Sequence, residues 1–246
     1  MTMHDDASPF FIAPHRFDAD DDVTPALDRR HELVVEAGER VLARRRLHAS
    51  GHLLGPTEAR QRWTLPEPVA VTVTDRRIAY AGAGPQLALV GGAGAGARHR
   101  RGARLPGLIS GQIRWQWPSR LELLAAEHGE HGEHARMLVV CDALRTIQQP
   151  ALGFTGPAGQ IVELTRLVRR AVAGFRLTHP ELVDLSPPER DVLAVRAGAG
   201  PGAGETRITL PGSLPVEFQS REDYYRPGRV GRGWQGPAAG AASGHR

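Results

Sequence analysis

The stretch VAVTVTDRRIAY, residues 69–80, decides how the chain is read. Val69, Val71 and Val73 alternate with Ala70, Thr72 and Thr74, the period-2 pattern of a half-buried strand. Thr74 to Arg77 supplies turn chemistry, because Thr and Asp side chains hydrogen-bond the backbone just ahead of them. Ile78 and Tyr80 then restart the alternation, so the segment predicts a tight antiparallel hairpin.

Working outward, Gly38–Arg46 reads as a first strand, preceded by a short helical or extended segment at Arg30–Ala37. Gly51–Pro68 reads as loop. Gln86–Val90 is a short apolar strand, followed by an Ala/Gly/Arg-rich loop at Gly91–Pro106. Along Leu108–Trp117, Ile113, Trp115 and Trp117 share one side of a strand, and Gln112, Arg114 and Gln116 the other. Arg120–Ala126 and Met137–Ala143 flank a polar loop as a second hairpin, and a Pro-bearing gap follows.

From Gly159 the period changes. Ile161, Leu164, Val168, Ala171 and Phe175 recur at steps of three and four, with Leu167 and Val172 widening the stripe. That predicts an amphipathic helix, which Pro180 ends. Ser186 and Glu189 form a capping box with Pro187 at the first helical position, so a second short helix opens there. The Val192–Val195 run would also suit a strand. Glu205–Phe218 reads as extended.

The Thr74–Tyr80 hairpin, TDRRIAY, resembles that of bacterial PH-like and GRAM-like domains. The resemblance covers roughly Gly38 to Leu177. It implies an α+β fold, a bent antiparallel β-sandwich or barrel closed by one C-terminal amphipathic helix, with short extra elements after it. The expected organisation is a disordered acidic arm at 1–28 and a PH-like domain at 29–178. An extension packed on the domain follows at 179–225, then a disordered Gly/Ala/Arg tail at 226–246.

Composition removes several chemistries. The 246 residues include no Lys and no Asn, two residues whose codons both begin AA, as a GC-rich genome would favour. The basic balance is therefore Arg standing in for Lys, and no nucleic-acid partner is expected. Without Lys there is no P-loop, no kinase strand lysine and no Schiff base. Cys141, the single cysteine, sits in the apolar run Met137–Cys141 and reads as a buried, inert thiol. The acidic N-terminus lacks the pattern of a signal peptide, and no apolar run reaches the ~18 residues of a membrane span. The expected location is cytoplasmic, with peripheral membrane association as the variant.

Charge is unevenly placed. Residues 1–28 hold seven Asp against Arg16, a net of −6, so with +4 for the whole chain the remainder carries +10. From Arg76 to Leu121 there are eight Arg and no acid. Arg98, Arg100, Arg101 and Arg104, together with Arg114 and Trp115, make the candidate site for an anion or an anionic lipid, because Arg forks match phosphate oxygens and indole suits an interface. The alternative is a solvated Arg loop with the tryptophans in the core. The acidic arm could fold over this basic loop and mask it.

Other motifs carry less. Glu127–His134 echoes a tripeptide three times, placing His128, His131 and His134 together as a weak metal alternative to a solvated loop. Gly92, Gly94 and Ala97 fit a dinucleotide fingerprint, but the next acid is Glu122, too late to hold a ribose, so no cofactor is expected. No set of catalytic residues converges. The function read from the sequence is non-catalytic recognition of a protein partner. An anionic-lipid or phosphoinositide module is the second class, and an enzyme with an unrecognised site the third. A structural subunit docking through Arg166, Arg169 and Arg170 is a further form of partner binding.

Overall fold

The computed structural model describes residues 25–55, 59–65, 67–83, 108–125, 133–144, 149–198 and 205–217. They form an α+β fold of one large antiparallel sheet, two helices and a small parallel pair. The strands are β1 (Val41–Leu54), β2 (Ala59–Thr64), β3 (Val69–Thr74), β4 (Arg77–Ala83), β5 (Leu108–Arg114), β6 (Pro118–Ala125), β7 (His134–Cys141), β8 (Ala143–Leu144), β9 (Gln149–Pro157), β10 (Arg207–Thr209) and β11 (Val216–Glu217). The helices are α1 (Ala158–Thr178) and α2 (Pro187–Gly198). In the large sheet the order is β10-β6-β7-β9-β1-β3-β4-β5, with β2 also on β1, and its two end strands do not pair with each other. The sheet is therefore open. No described helix is long and apolar enough to cross a membrane.

The hairpin forms as the sequence predicts, with Thr74 as its pivot. The Thr74 hydroxyl accepts from the Arg76 and Arg77 amides at 3.1 and 2.9 Å, while Asp75 turns away to accept from the Arg40 amide. Val69, Val71, Val73, Ile78 and Tyr80 all enter the core.

β1 holds the sheet together. Val41–Leu47 pairs with β3, whereas His48–Leu54 pairs with β9 and Ser50–Leu54 also with β2. Tyr80 of β4 meets Phe154 of β9 edge-on, with ring centroids 6.4 Å apart. Three steps separate those strands in the sheet, about 14 Å were it flat. The sheet therefore curls around a shared core. α1 covers that core with Ile161, Leu164, Val168, Val172 and Phe175, each worth roughly 1.5–3 kcal/mol of apolar burial.

Several boundaries move. Arg30–Ala37 is not helical; it is extended and turned, and Leu27 bridges Leu33, so residues 25–28 belong with it rather than with the acidic arm. The first strand starts later than Gly38 and runs eight residues beyond Arg46. Gly51–Pro68, read as loop, contains the end of β1 and all of β2. The gap before α1 holds β9, the strand that joins β1 to β7. Leu108–Trp117 stops as a strand at Arg114, and Trp115–Trp117 make a turn that still buries both indoles. The 192–195 run is helical. Gln86–Val90 and the Gly91–Pro106 loop lie outside the described residues.

Arg176, in the last turn of α1, fixes the helix to this framework. It is wholly buried, and among the described residues its hydrogen bonds go to main-chain carbonyls, with Glu189 acting on it only through its charge. Nε donates to the Trp115 carbonyl (3.0 Å), Nη1 to Leu210 and Pro211 (2.7 and 2.5 Å), and Nη2 to Pro118 and Gln116 (2.6 and 3.4 Å). All five N–H groups find carbonyls. Burial draws the guanidinium down to about 9, still charged at neutral pH. Replacing it by Met removes its donors from five main-chain carbonyls, of which Gln116 still accepts from the Leu214 amide. Urea unfolding followed by tryptophan fluorescence should show Arg176→Met at least about 3 kcal/mol less stable; a loss under about 1 kcal/mol would contradict the role given to this contact.

Candidate functional site

Strands alternate, so the side chains of β3–β5 that do not enter the core lie on the outer face of the curled sheet. On that face Thr74, Arg77 and Gln112 are nonetheless buried. The segment leading into β1 covers them and brings two acids.

Glu39 places its carboxylate against Arg77, accepting from Nε at 2.8 Å and Nη2 at 2.7 Å, and it also accepts the Thr74 hydroxyl at 2.7 Å. Arg77 donates further to the Gln112 amide oxygen (2.6 Å) and the Val34 carbonyl (3.2 Å). Neither side chain of the Arg77–Glu39 pair is more than 3 % exposed. Glu36, one-third exposed, gathers three cations: Arg114 through both terminal nitrogens, Arg76 at 3.4 Å and Arg77 at 3.5 Å. Three guanidiniums thus meet two carboxylates in one clamp.

Both carboxyls lie below the usual value of 4.5. For Glu36 the Arg114 hydrogen bond is the largest cause, working against burial. For Glu39 burial is the largest influence and pushes upward, but the bonds from Arg77, the Glu36 amide and Thr74 together outweigh it.

The sequence-predicted residues separate. Trp115 is a core side chain whose Nε1 donates to the Thr74 carbonyl at 3.0 Å, so it has no lipid-facing surface. Arg114 is held by Glu36. Arg98, Arg100, Arg101 and Arg104 lie outside the described residues, and the chain leaves toward them at Ala83 and returns at Leu108. That is the far end of the β4–β5 hairpin from the paired Arg77 and Arg114. His134 opens β7, and His128 and His131 also lie outside the described residues, among which no metal-binding group of three or more His, Cys, Asp or Glu is present. On α1, Arg166 and Arg170 are exposed, while Arg169 is buried.

Sequence reasoning missed Glu36 and Glu39. The available signal was Ala79 and Ala81, small apolar residues alternating with Ile78 and Tyr80 on the face that Arg77 shares. Small residues on both faces of a strand mark it as covered on both sides.

Elsewhere the buried reactive groups are quiet. Ser50 Oγ and His52 Nε2 share a 2.9 Å hydrogen bond on β1, and burial, with a push from Arg136, lowers the imidazole to about 4, so it is neutral. Burial pushes the Cys141 thiol up to about 12 and the Tyr80 hydroxyl well above its usual value. Compared with protein-family models and with curated proteins, the chain matches none.

The clamp makes a pH prediction. Its two carboxyls titrate lower in the folded chain than in the unfolded one, so their contribution is complete above about pH 4.5 and lost as pH falls through their folded values. Chemical denaturation should show that the wild-type chain loses more stability between neutral pH and about pH 3 than Glu39→Gln does. At neutral pH, Arg77→Met should cost about 3–5 kcal/mol, because it strands the Glu39 carboxylate in the interior.

Proposed function

We propose that this chain is a non-catalytic recognition module on a PH-like scaffold, and that it binds a protein partner. The scaffold reading is supported by a run of antiparallel strands curled round one core and followed by a single amphipathic helix over it, as the resemblance leads one to expect.

The partner reading rests on one observation. Val34, Val35, Val41 and Leu42 are each 39–44 % exposed, in two short runs that flank the Arg–Glu clamp. Scattered surface aliphatics need no explanation, but these two pairs bracket, in the chain, the residues that form the clamp. The Val34 carbonyl accepts from Arg77, and Glu36 and Glu39 anchor the residues between the two runs. Apolar groups already fixed in place lose little entropy on docking, which is what a protein-binding patch requires. Charged neighbours, including Glu32 and Arg44 paired at 3.8 Å, supply a polar rim.

Cross-linking capture from the native lysate tests this with Val35→Asp/Leu42→Asp as the disrupted chain and Val195→Asp, on the exposed side of α2, as the control. The proteins held by wild type and by Val195→Asp should be lost from the double variant. Equal capture by all three, or partitioning of the wild type onto anionic vesicles with no protein captured, would remove the protein-partner reading.

A further inference from the structure

Where α1, α2 and the segment entering β10 meet, there is a second charged cluster. Arg169 projects from α1 and is 6 % exposed. Its Nε and Nη1 are both buried, and neither has a hydrogen-bond partner among the described residues. The nearest carboxylate is that of Glu205, 3.7 Å from Nη1, close enough to be an ion pair and too far to be a hydrogen bond. Glu205 is one-third exposed, and from Thr206 onward the chain is fixed by the bond from the Leu123 amide to the Thr206 carbonyl, which begins the pairing of β10 with β6.

Arg196, in the last turn of α2, reaches the Thr209 carbonyl and feels the charges of both Arg169 and Glu205. The other acid of this edge is already committed: Glu122 holds Arg120 at 2.6 Å and Arg207 at 3.8 Å. Among the described residues, Arg169 and Arg196 thus share the Glu205 carboxylate. The residues linking α2 to Glu205, 199–204, read AGPGAG and add no acid and no hydroxyl.

A buried guanidinium is ordinarily saturated, as Arg176 is with five carbonyls. Arg169 is the opposite case, a charge taken out of water whose Nε and Nη1 have no hydrogen-bond partner among the described residues, with only the longer ion pair to Glu205 to answer it. We propose that Arg169 and Arg196 form a binding site for a phosphate-class oxyanion, with Glu205 as the displaceable occupant of its mouth. A phosphate group offers several acceptor oxygens to the two guanidiniums, and its charge is matched by them once Glu205 swings out to solvent. Glu205 holds the place of the ligand with the right sign and the wrong reach.

Titration calorimetry of the full-length protein tests the site, with inorganic phosphate as the free ion and vesicles of phosphatidylcholine with or without phosphatidic acid as the headgroup source. Wild type should bind phosphate, and Arg169→Gln should weaken it at least about tenfold. Glu205→Gln removes the competing carboxylate and should tighten binding by about threefold or more. It alters a partly exposed side chain, so it reads the site even where Arg169→Gln fails to fold. Retention on phosphatidic acid vesicles that Arg169→Gln abolishes assigns the phosphate to a lipid, and binding of free phosphate alone assigns it to a soluble ligand. No binding of either probe by wild type and Glu205→Gln, or equal binding by Arg169→Gln, would overturn the proposal.

Discussion

A single guanidinium ties together main-chain segments from several elements that the apolar core already brings side by side. The turn at Trp115–Trp117 carries the chain from β5 to β6, and there the strand ladder is interrupted, so that the Trp115 and Gln116 carbonyls look outside a strand ladder for donors. Leu210 and Pro211 present the same problem where β10 ends. Arg176 answers both from the last turn of α1. Because its acceptors are main-chain atoms, the contact fixes backbone positions directly. It adds to the ladder that sets β10 against β6 and to the apolar cluster of Ala173, Val183, Leu185 and Leu193 that sets α2 on α1. Gly212, just beyond, has φ +76°, and a Cβ there would lie 2.2 Å from Leu185 Cδ2, so the turn closes against the α1–α2 connection with no room to spare.

The same residue type solves a different problem on the outer face. Arg77 is as buried as Arg176, yet it is neutralised by a carboxylate from 38 residues upstream. A planar fork with five donors suits both surroundings, a cage of carbonyls or a two-oxygen carboxylate. In a chain without Lys, arginine must do all of this work. Within the described part of the acid-free stretch, Arg76, Arg77 and Arg114 find their acids elsewhere in the chain. Strands β4 and β5 supply cations, and the segment entering β1 supplies the anions that cover them.

What could be read in the sequence follows from where periodicity survives folding. The hairpin and α1 each bury one face, so alternation at 69–80 and the three-four spacing from Ile161 appear in the residues themselves. β9 and the second half of β1 are covered on both sides and packed closely, which erases alternation. Gly153 shows why. A Cβ there would meet Ser50 Oγ at 2.7 Å and His52 Nε2 at 2.9 Å, so the position takes glycine and reads as loop. Gly156 is similarly closed in by Leu47 Cδ2 at 2.6 Å. The clamp was hidden for another reason. Nothing local to Glu39 or Arg77 announces a partner, because the pairing is a product of how β1 lies beside β3 and how β4 follows.

The buried titratable groups of the described residues have been put to structural ends. His52 is a neutral acceptor or donor for Ser50, Cys141 stays protonated, and Glu36 and Glu39 stay charged because arginines hold them so. Among the described residues, the two places we propose for outward-directed recognition are of opposite character. One is the row of fixed aliphatics beside the clamp, suited to a surface that excludes water. The other is the Arg169–Arg196 pair, whose charge exceeds what Glu205 can answer. They draw on different forces, one weakened by cooling and the other by salt, so their occupants need not compete and each can be removed without disturbing the other.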